Sequence, residues 1–581
     1  MKAAWRLDFF DYAWASSFQI TKKKHEDVKI LVRDDVTFPL LGKDDKGYVI
    51  CLPEPKMKGK NVVQFQGLGL NLGNELHKRI LWQLFRASVF HLSAHVATDG
   101  FESYVDWAKD KNQNLAMYVA SLFEDAVVTA YAKKAWSPFL PDIALANAIS
   151  YLRLKSSQVL FEDPLRVMSA IISYFVVGKG NGRIPKEMLE DVNDCVCYLR
   201  QIEEFAFKQL TEKEDAQNTL WRNNRLDKRK LELADEVYWR LYDYGPPSET
   251  LTLPYTDSYG RNSVYRNNIT ATAEEFDDAL KLAFAKLDSD MFTDESLERE
   301  TTQAFSVWEA TKAREQKIIE TYKEFLAGSR FSAIEFPKED YTEFLRSKQL
   351  LSSPIRRVLE KLRLLKNILG EDFKHESGLV DLQEAIQVIA SQSQRTDIFV
   401  REELQTREEA WAIIIDASHS LNFFTGEVRG IALCLAETAK NLILNRAAWG
   451  MFAFNDKFYI VKDFEENYST RVRARIGGLT HGGLTYMPDG INIVTNKLRQ
   501  HIESSKIIVL VSDFFPSGYP EAENELLQTI RQKERAGFGI IGVGVKSRAA
   551  KNYLRNYCTV DTPYDLMKKF TKAFLEYSTT V

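Results

Sequence analysis

From residue 411 onward the chain alternates short apolar runs with helical segments, and this alternation constrains the fold more than any other feature. Four runs are continuously apolar, WAIII (411–415), WGMFAF (449–454), IIVLV (507–511) and FGIIGV (538–543). A further run, KFYIV (457–461), predicts an edge strand. Helices are predicted over 427–445, from 488, over 520–536 and from 563. Strands buried beneath helices on both faces have this pattern, which predicts a Rossmann-like α/β domain with a central, mostly parallel sheet.

The chain before residue 411 has a different pattern. Apolar residues are spaced three and four apart over most of 74–330, which predicts a largely helical domain. Residues 27–53 alternate apolar runs with Asp, Gly and Pro, which predicts a small β-hairpin or meander. Turn formers predict a long loop over 245–268, and the pattern of 302–392 is again helical. The predicted fold class is multidomain α plus α/β, with an N-terminal segment at 1–73, a helical domain at 74–330, a helical linker at 331–410 and the α/β domain at 411–581.

The composition is typical of a globular protein, with 581 residues of which 45% are hydrophobic and 27% charged. The 77 Lys and Arg against 81 Asp and Glu give a net charge of −4. The chain therefore lacks the excess of basic residues that would indicate a nucleic-acid partner. Five cysteines without a C-x-x-C pair favour a reducing compartment. Asp8 and Asp11 interrupt the N-terminal apolar residues, and no stretch approaches the roughly 20 apolar residues of a membrane span. We therefore expect a cytoplasmic protein that does not insert into a membrane.

Polar residues follow the predicted strands of the α/β domain where the strands end. Asp416, Ser418 and Ser420 form a D-x-S-x-S run directly after the first strand. Thr485 precedes a predicted helix, and Asp513 follows a later strand. The carboxyl ends of parallel strands meet at one sheet edge, and Mg²⁺ prefers oxygen ligands. The sequence therefore predicts a site for Mg²⁺ or another divalent cation, and its two carboxylates leave the cation able to accept an acidic ligand from a partner.

A plainer interpretation of the D-x-S-x-S run is helix capping. Asp and Ser are common cap residues, and a helix follows the first strand. This alternative gives no role to Thr485 and Asp513. His419 and His481 flank the run and the Thr485 loop, but a hard oxygen site does not require imidazole, so we expect both to be loop histidines.

The D-x-S-x-S run with Thr485 and Asp513 resembles the metal-ion-dependent adhesion site of von Willebrand factor A domains. The resemblance covers residues 411–581 and implies a protein-binding domain that uses Mg²⁺. The sequence departs from that pattern at two positions. Phe514 stands where the family usually has Gly, and Asp489 stands where a small residue is usual.

Two further segments narrow the resemblance. VRARIGGLTHGGLTYM (472–487) and LVDLQEAI (379–386) resemble nitric oxide reductase activation proteins of the NorD type. Proteins of that family, and of the related Rubisco-activating CbbO type, are adaptors of hexameric AAA+ ATPases of the MoxR class. The resemblance therefore implies that this chain links such an ATPase to a target metalloenzyme such as a nitric oxide reductase. No Walker A motif occurs in the sequence, so ATP hydrolysis by the P-loop route belongs to the partner. We expect a non-enzymatic adaptor; a stand-alone binding module is one alternative.

The helical domain contains a second candidate site. His91 and His95 lie one helical turn apart in His-Leu-Ser-Ala-His, the spacing of H-E-x-x-H zinc peptidases. Leu92 replaces the glutamate that serves those enzymes as general base. Glu124-Asp125, on the next predicted helix, stands where related peptidases place a third ligand, and Glu124 is the residue we select, so the pattern resembles a degenerate zincin. A hydrogen-bonded contact without metal is the favoured interpretation of the three residues, and a zinc-dependent hydrolase with an appended adhesion domain is the alternative function.

Overall fold

The chain divides into two compact units, residues 1–313 and 314–581. The sequence predicted four segments instead, with boundaries after residues 73, 330 and 410. The predicted loop at 245–268 and the motif at 379–386 lie partly outside the described residues. The computed structural model describes residues 8–59, 61–211, 224–252, 262–266, 272–287, 295–353, 409–443, 445–503 and 505–580, together with parts of 355–403.

Helices dominate the first unit, as the apolar spacing predicts. They are α1 Phe9–Thr21, α2 Glu75–Thr98, α3 Tyr104–Trp107, α4 Gln113–Ala135, α5 Leu140–Arg153, α6 Asp163–Val177, α7 Lys186–Thr211, α8 Asn224–Tyr242, α9 Ala273–Lys286 and α10 Glu295–Leu326, the last of which continues past the division between the units. The strands of the first unit are β1 Val28–Arg33, β2 Leu40–Asp44, β3 Gly47–Pro53, β4 Lys56–Met57, β5 Val62–Phe65 and β6 Leu68–Asn71.

The six strands form two small sheets. β2 and β3 are an antiparallel hairpin, and β1 pairs with β3 in parallel, so the order is β1-β3-β2. The hairpin expected within 27–53 is therefore present with one additional parallel strand. The antiparallel sheet β4-β5-β6 follows it, and its strands of two and four residues are too short to show alternation in the sequence.

Two long helices, α2 and α4, contain the candidate histidine site. Asn74 caps α2 and Asn112 caps α4, each with its side-chain oxygen accepting a backbone N–H of the first turn. The second half of α2 and most of α4 are buried, and the two helices pack against each other. Side chains that point from one of these helices toward the other are therefore held away from bulk water.

By length and composition, α4 could also cross a membrane. It has 23 residues with a mean hydropathy of 1.3 in its most apolar window, and 83% of that window is buried within the protein. The expectation that no stretch approaches a membrane span does not hold for this helix. Core helices of soluble proteins pass the same test, because a helix surrounded by other helices is apolar on most sides.

The second unit is built on a seven-stranded sheet. The strands of this unit that belong to the sheet are β7 Ile334–Glu335, β11 Glu409–Asp416, β12 Trp449–Phe454, β13 Phe458–Lys462, β14 Ser505–Ser512, β15 Phe538–Val545 and β16 Asn556–Val560, and those outside it are β8 Gly370–His375, β9 Leu379–Val380 and β10 Phe399–Glu403. Its helices, besides the end of α10, are α11 Tyr341–Leu350, α12 Thr425–Leu442, α13 Thr470–Gly477, α14 Met487–Leu498, α15 Ala522–Arg535 and α16 Pro563–Thr580. The seven strands are ordered β16-β15-β14-β11-β12-β13-β7.

The sheet confirms the predicted α/β architecture. All neighbouring strands are parallel except β12 and β13. Every residue of β11, β12 and β15 is buried, as continuously apolar strands require when both faces are covered. The run at 457–461 forms β13, but it is not the edge, because the two-residue strand β7 pairs outside it. A strand of two residues has no pattern of its own in the sequence.

The helical pattern predicted over 302–392 is wrong for part of its length. β8 and β9 lie within it, and both pair antiparallel with β10 in a separate three-stranded sheet. The helix-like apolar spacing of 355–369 ends at Gly370, a residue type that commonly terminates helices. The strands after it are short, so their pairing is set by contacts distant in sequence.

Candidate functional site

The candidate site of the second unit lies at β11, where the order in which the strands are added to the sheet reverses. β12, the strand after β11 in the chain, lies on one side of β11, and β14 lies on the other. Open α/β sheets bind ligands at such a switch point, beyond the carboxyl ends of the strands. Ile415 pairs with Val511, so the ends of β11 and β14 are side by side. We call the following residues the carboxyl-edge site: Asp416, Ser418, Ser420, Thr485 and Asp513.

Asp416 is fully buried at the end of β11, and hydrogen bonds hold its carboxylate in place. Oδ2 accepts the hydroxyl of Ser512 at 2.6 Å, and Oδ1 accepts the backbone N–H of Ser418 at 2.9 Å. Ser512 ends β14, so its bond to Asp416 ties the two central strands together at the site. Its role was missed in the sequence, although its place at a strand end was visible there.

The two serines of the run share one short contact. Oγ of Ser418 lies 3.0 Å from Oγ of Ser420, with Ser418 buried and Ser420 exposed. Adjacent oxygens around an octahedral Mg²⁺ are about 3 Å apart, because each lies 2.0–2.1 Å from the ion. The hydroxyl pair therefore fits neighbouring ligand positions of a magnesium ion, and the site opens to solvent on the Ser420 side.

Backbone hydrogen bonds join the three loops of the site. The N–H of His419 donates to the carbonyl of Gly483 at 3.1 Å, which links the first loop to the second. The N–H of Thr485 donates to the carbonyl of Ser517 at 3.3 Å, which links the second loop to the third. Thr485 is buried in the second loop, and these two bonds hold that loop beside the loops that follow β11 and β14.

Asp513 brings a second carboxylate to this edge. It is mostly buried, and its Oδ1 accepts the N–H of Phe515 at 3.1 Å. Burial, followed by repulsion from Asp513, raises the pKa of Asp416 to about 6. Within the described part of the chain, no lysine or arginine forms an ion pair with either carboxylate. Two buried carboxylates without a basic partner are an arrangement that a divalent cation neutralises.

The capping alternative does not agree with the local geometry. Ser418 precedes a single stretch of 3₁₀ helix, His419–Phe424, and makes no side-chain capping hydrogen bond to it. Phe424 precedes α12, and its apolar side chain cannot accept a capping hydrogen bond. The side chain of Asp416 instead accepts hydrogen bonds from Ser418 and Ser512, and the hydroxyl of Ser418 contacts that of Ser420.

The structure accounts for both departures from the family pattern. Phe514 has φ of 59°, in the left-handed region where glycine is the least strained residue. Its ring is buried and stacks on Tyr553 with centroids 6.4 Å apart, which offsets the backbone strain. Asp489, in the first turn of α14, forms an ion pair with Arg330 at 2.9 Å. That pair explains how a charged residue is accepted at this buried position.

The two histidines near the site differ in exposure. His419 is exposed in the first loop. His481 is half-buried, and its burial, together with the cation of Arg429, lowers its pKa to about 4. His481 is therefore neutral at physiological pH and adds no positive charge beside Asp416.

In the first unit the structure assembles a second cluster. Nε2 of His91 lies 2.9 Å from Oδ1 of Asp125, and Nε2 of His95 lies 3.0 Å from the same oxygen. The two Nε2 atoms are 3.0 Å apart. All three side chains are buried, and we call them the His–Asp cluster. Burial lowers the pKa of His91. Burial acts to raise the pKa of Asp125, but the two imidazoles outweigh it, so that pKa is lowered.

Glu124, the predicted third member, is replaced in the cluster by its neighbour Asp125. Glu124 points to another helix and forms a buried ion pair with Nζ of Lys230 on α8 at 2.7 Å. Its carboxylate also lies against Gly100, where a Cβ atom would overlap it. Successive residues of a helix point about 100° apart, so Asp125 and Glu124 face different neighbours. Lys230 was visible in the sequence only as part of a basic stretch.

Comparison with known proteins adds no identification. No protein-family model matches the chain, and no curated protein matches it.

Proposed function

We propose that the second unit is a von Willebrand factor A domain whose carboxyl-edge site binds Mg²⁺ and, through it, an acidic residue of a partner protein. The observation that supports this most is the pair of buried carboxylates, Asp416 and Asp513, which form no ion pair with a basic residue in the described ranges of the chain. Asp416, Ser418, Ser420, Thr485 and Asp513 would hold the ion directly or through water. The bound cation would supply electrostatic attraction to a carboxylate of the partner.

The charge balance favours docking over storage of the ion. Two carboxylates only just neutralise a dication, whereas sites that retain Ca²⁺ tightly commonly add further carboxylates. Ser420 is exposed, so a ligand from outside has access to the ion on that side. An acidic side chain that completes the coordination would also replace a water ligand.

The surroundings of the site suggest what else the partner presents. Each of the three loops exposes one large apolar side chain: Phe423 is 88% exposed, Phe515 is 59% exposed and Leu484 is 44% exposed. Exposed apolar residues that cluster around a polar centre are typical of protein-binding surfaces. We therefore propose a partner surface in which an acidic residue is flanked by apolar residues.

The identity of the partner rests on the family resemblance. NorD-type proteins imply a MoxR-class AAA+ hexamer as the source of mechanical work, and a target metalloenzyme such as a nitric oxide reductase. We propose a non-enzymatic adaptor in the cytoplasm, and the sequence contains no P-loop motif for ATP hydrolysis of its own. In this proposal the ATPase hydrolyses ATP, and the adaptor links it to the target.

Magnesium binding is the first test. Calorimetric titration of the full chain with Mg²⁺ should give binding that is lost in the double variant Ser418→Ala, Ser420→Ala. Ser505→Ala is the matched control, because Ser505 begins β14 and therefore lies at the opposite end of the strand from the site. Equal Mg²⁺ affinity in the double variant and the wild type would contradict the assignment of the ligands.

Partner capture is the second test. The full chain is used as bait in native lysate with Mg²⁺ or with EDTA, and retained proteins are identified by mass spectrometry. A AAA+ ATPase should be retained with Mg²⁺ by the wild type and by Ser505→Ala, and lost with EDTA or with the double variant. Retention that is independent of both would refute docking through the metal. Metal-dependent capture of other proteins without an ATPase would support the stand-alone module.

A further inference from the structure

We propose that the His–Asp cluster of the first unit is a zinc site in which His91, His95 and Asp125 are the protein ligands. This inference is independent of the proposed function, because it concerns other residues and another metal. Three ligand atoms, two imidazole nitrogens and one carboxylate oxygen, form a nearly equilateral triangle with sides of 2.9, 3.0 and 3.0 Å. In tetrahedral zinc sites, neighbouring ligand atoms are about 3.3 Å apart, so small side-chain shifts would admit the ion.

Hydrogen bonding alone does not account for all three contacts. Each neutral imidazole has a single proton, so the pair can place at most two protons on the facing Nε2 atoms. If both protons point to Asp125, the two N–H groups oppose each other at 3.0 Å. If one is absent, a nitrogen lone pair faces the carboxylate oxygen. A cation at the centre of the triangle interacts favourably with all three atoms at once.

The orientation of His95 and the ligand types point to the metal class. Nε2 of His95 faces Asp125 and His91, and the ring packs against Phe101 with centroids 5.4 Å apart. Zinc bound at Nε2 would leave the proton of the neutral ring on Nδ1, which is buried and has no hydrogen-bond partner among the residues that the structure describes. The His₂Asp ligand set suits zinc and related transition metals, whereas Mg²⁺ prefers oxygen ligands alone.

A fourth ligand is available from a small cavity beside the cluster. His91 and Asp125 line this cavity of about 40 Å³ together with Thr129, Asn147 and Glu203. A water molecule needs about 10–15 Å³ of such space, so the cavity has room for water as the fourth ligand. Glu203 forms an ion pair with Lys133 at 3.1 Å, and Leu92 replaces the usual base. We therefore expect zinc here to join α2 to α4 without peptidase activity.

The test uses the full chain, treated with chelator, reloaded with Zn²⁺ and dialysed. Elemental analysis should find a single zinc ion per chain in the wild type and in the control His77→Asn, since His77 lies on α2 outside the cluster. His95→Asn and Asp125→Asn should each weaken zinc binding by about 100-fold or more, beyond the loss typical of outer-sphere changes. Co²⁺ in place of zinc should give the intense visible absorption of a four-coordinate site.

Zinc content, Co²⁺ spectra and variant affinities can each refute the proposal. A wild-type chain that retains no zinc, or Co²⁺ spectra of an octahedral ion, refutes it even if a variant fails to fold. Folded His95→Asn and Asp125→Asn proteins that keep wild-type zinc affinity also refute it, because the ion would then be bound elsewhere. Circular dichroism establishes the folding of each variant.

Discussion

Each unit contains a buried carboxylate, on a helix in the first unit and on a strand in the second. Different groups balance the negative charges of these two carboxylates. Glu124 in the first unit faces the ammonium group of Lys230 at 2.7 Å, and both side chains are almost inaccessible to water. Asp416 in the second unit has hydroxyl and backbone donors and a second carboxylate nearby. A buried carboxylate paired with a lysine is therefore a structural element, whereas one without a counter-charge is a candidate cation ligand.

Asp125 represents a third arrangement, and it is adjacent in sequence to Glu124. Its partners are two imidazoles, a group that can form hydrogen bonds to a carboxylate or bind a metal through the same ring nitrogen. Two adjacent residues of α4 thus differ: Glu124 has the fixed counter-charge of Lys230, whereas the negative charge of Asp125 can be balanced by hydrogen bonds or by a metal. Both proposed metal sites depend on this distinction between carboxylates with and without a fixed counter-charge.

The largest effect is expected from removal of the lysine. Lys230→Met leaves Glu124 buried without its counter-charge, and loss of one partner of a buried ion pair costs about 3–5 kcal/mol of folding stability. Hydrogen exchange of peptides from α4 and α8 over a urea series measures this loss within the first unit.

The control for this prediction replaces both partners. Glu124→Leu combined with Lys230→Met removes the pair without leaving a buried charge, so it should be more stable than Lys230→Met alone. A double variant no more stable than the single one would show that packing, and not the charge, governs this contact.

The next largest effect is expected on metal affinity, because each set of ligand substitutions should affect only one of the two metals. Ser418→Ala with Ser420→Ala should abolish Mg²⁺ binding and leave zinc binding unchanged, and His95→Asn should do the reverse. Ligand removal is expected to change the affinity of its own metal by about 100-fold and that of the other by less than about twofold. Calorimetry with each ion checks both variants. If either variant affects both metals equally, the ligand assignments are wrong.

A smaller effect concerns the pH dependence of the second unit without metal. The pKa of Asp416 is raised to about 6 in the folded protein from 3.8, so the folded state retains a proton that the unfolded state releases. Stability should therefore fall as pH rises from about 4 to 6, by about 1–3 kcal/mol from this group. Mg²⁺ should restore the lost stability above pH 6.

Asp416→Asn isolates this contribution, because its side chain does not ionise. In EDTA, the difference in stability between wild type and variant should favour the variant more at pH 7.5 than at pH 4.5. Hydrogen exchange of β11 and β14 peptides gives the comparison. A difference that is constant with pH would mean that Asp416 ionises normally when folded.

The same comparison shows what the sequence could predict. β11, β12, β14 and β15 were located within a few residues, because continuous apolar runs between helices fit only a covered parallel sheet. The common edge of the D-x-S-x-S run and Asp513 followed from that topology, because they lie at or directly after the ends of β11 and β14, whereas Thr485 lies between two helices and was selected by the resemblance. Assignment of Glu124 was wrong because α4 is apolar on most sides, so its sequence does not reveal which of two adjacent acidic residues faces α2. The pairing of Glu124 with Lys230 joins residues 106 positions apart, so no local pattern in the sequence reveals it.

The smallest expected effect tests the strain stored next to Asp513. Phe514→Ala and Phe514→Gly both lose the buried ring, but only glycine adopts φ of 59° without strain. We expect the glycine variant to be more stable than the alanine variant by about 1 kcal/mol, the reverse of their order in a helix. Urea unfolding followed by hydrogen exchange at β14 measures the difference. Equal stabilities would show that the loop relaxes when the ring is removed, and then Phe514 itself, rather than the Asp513 loop, imposes the left-handed conformation.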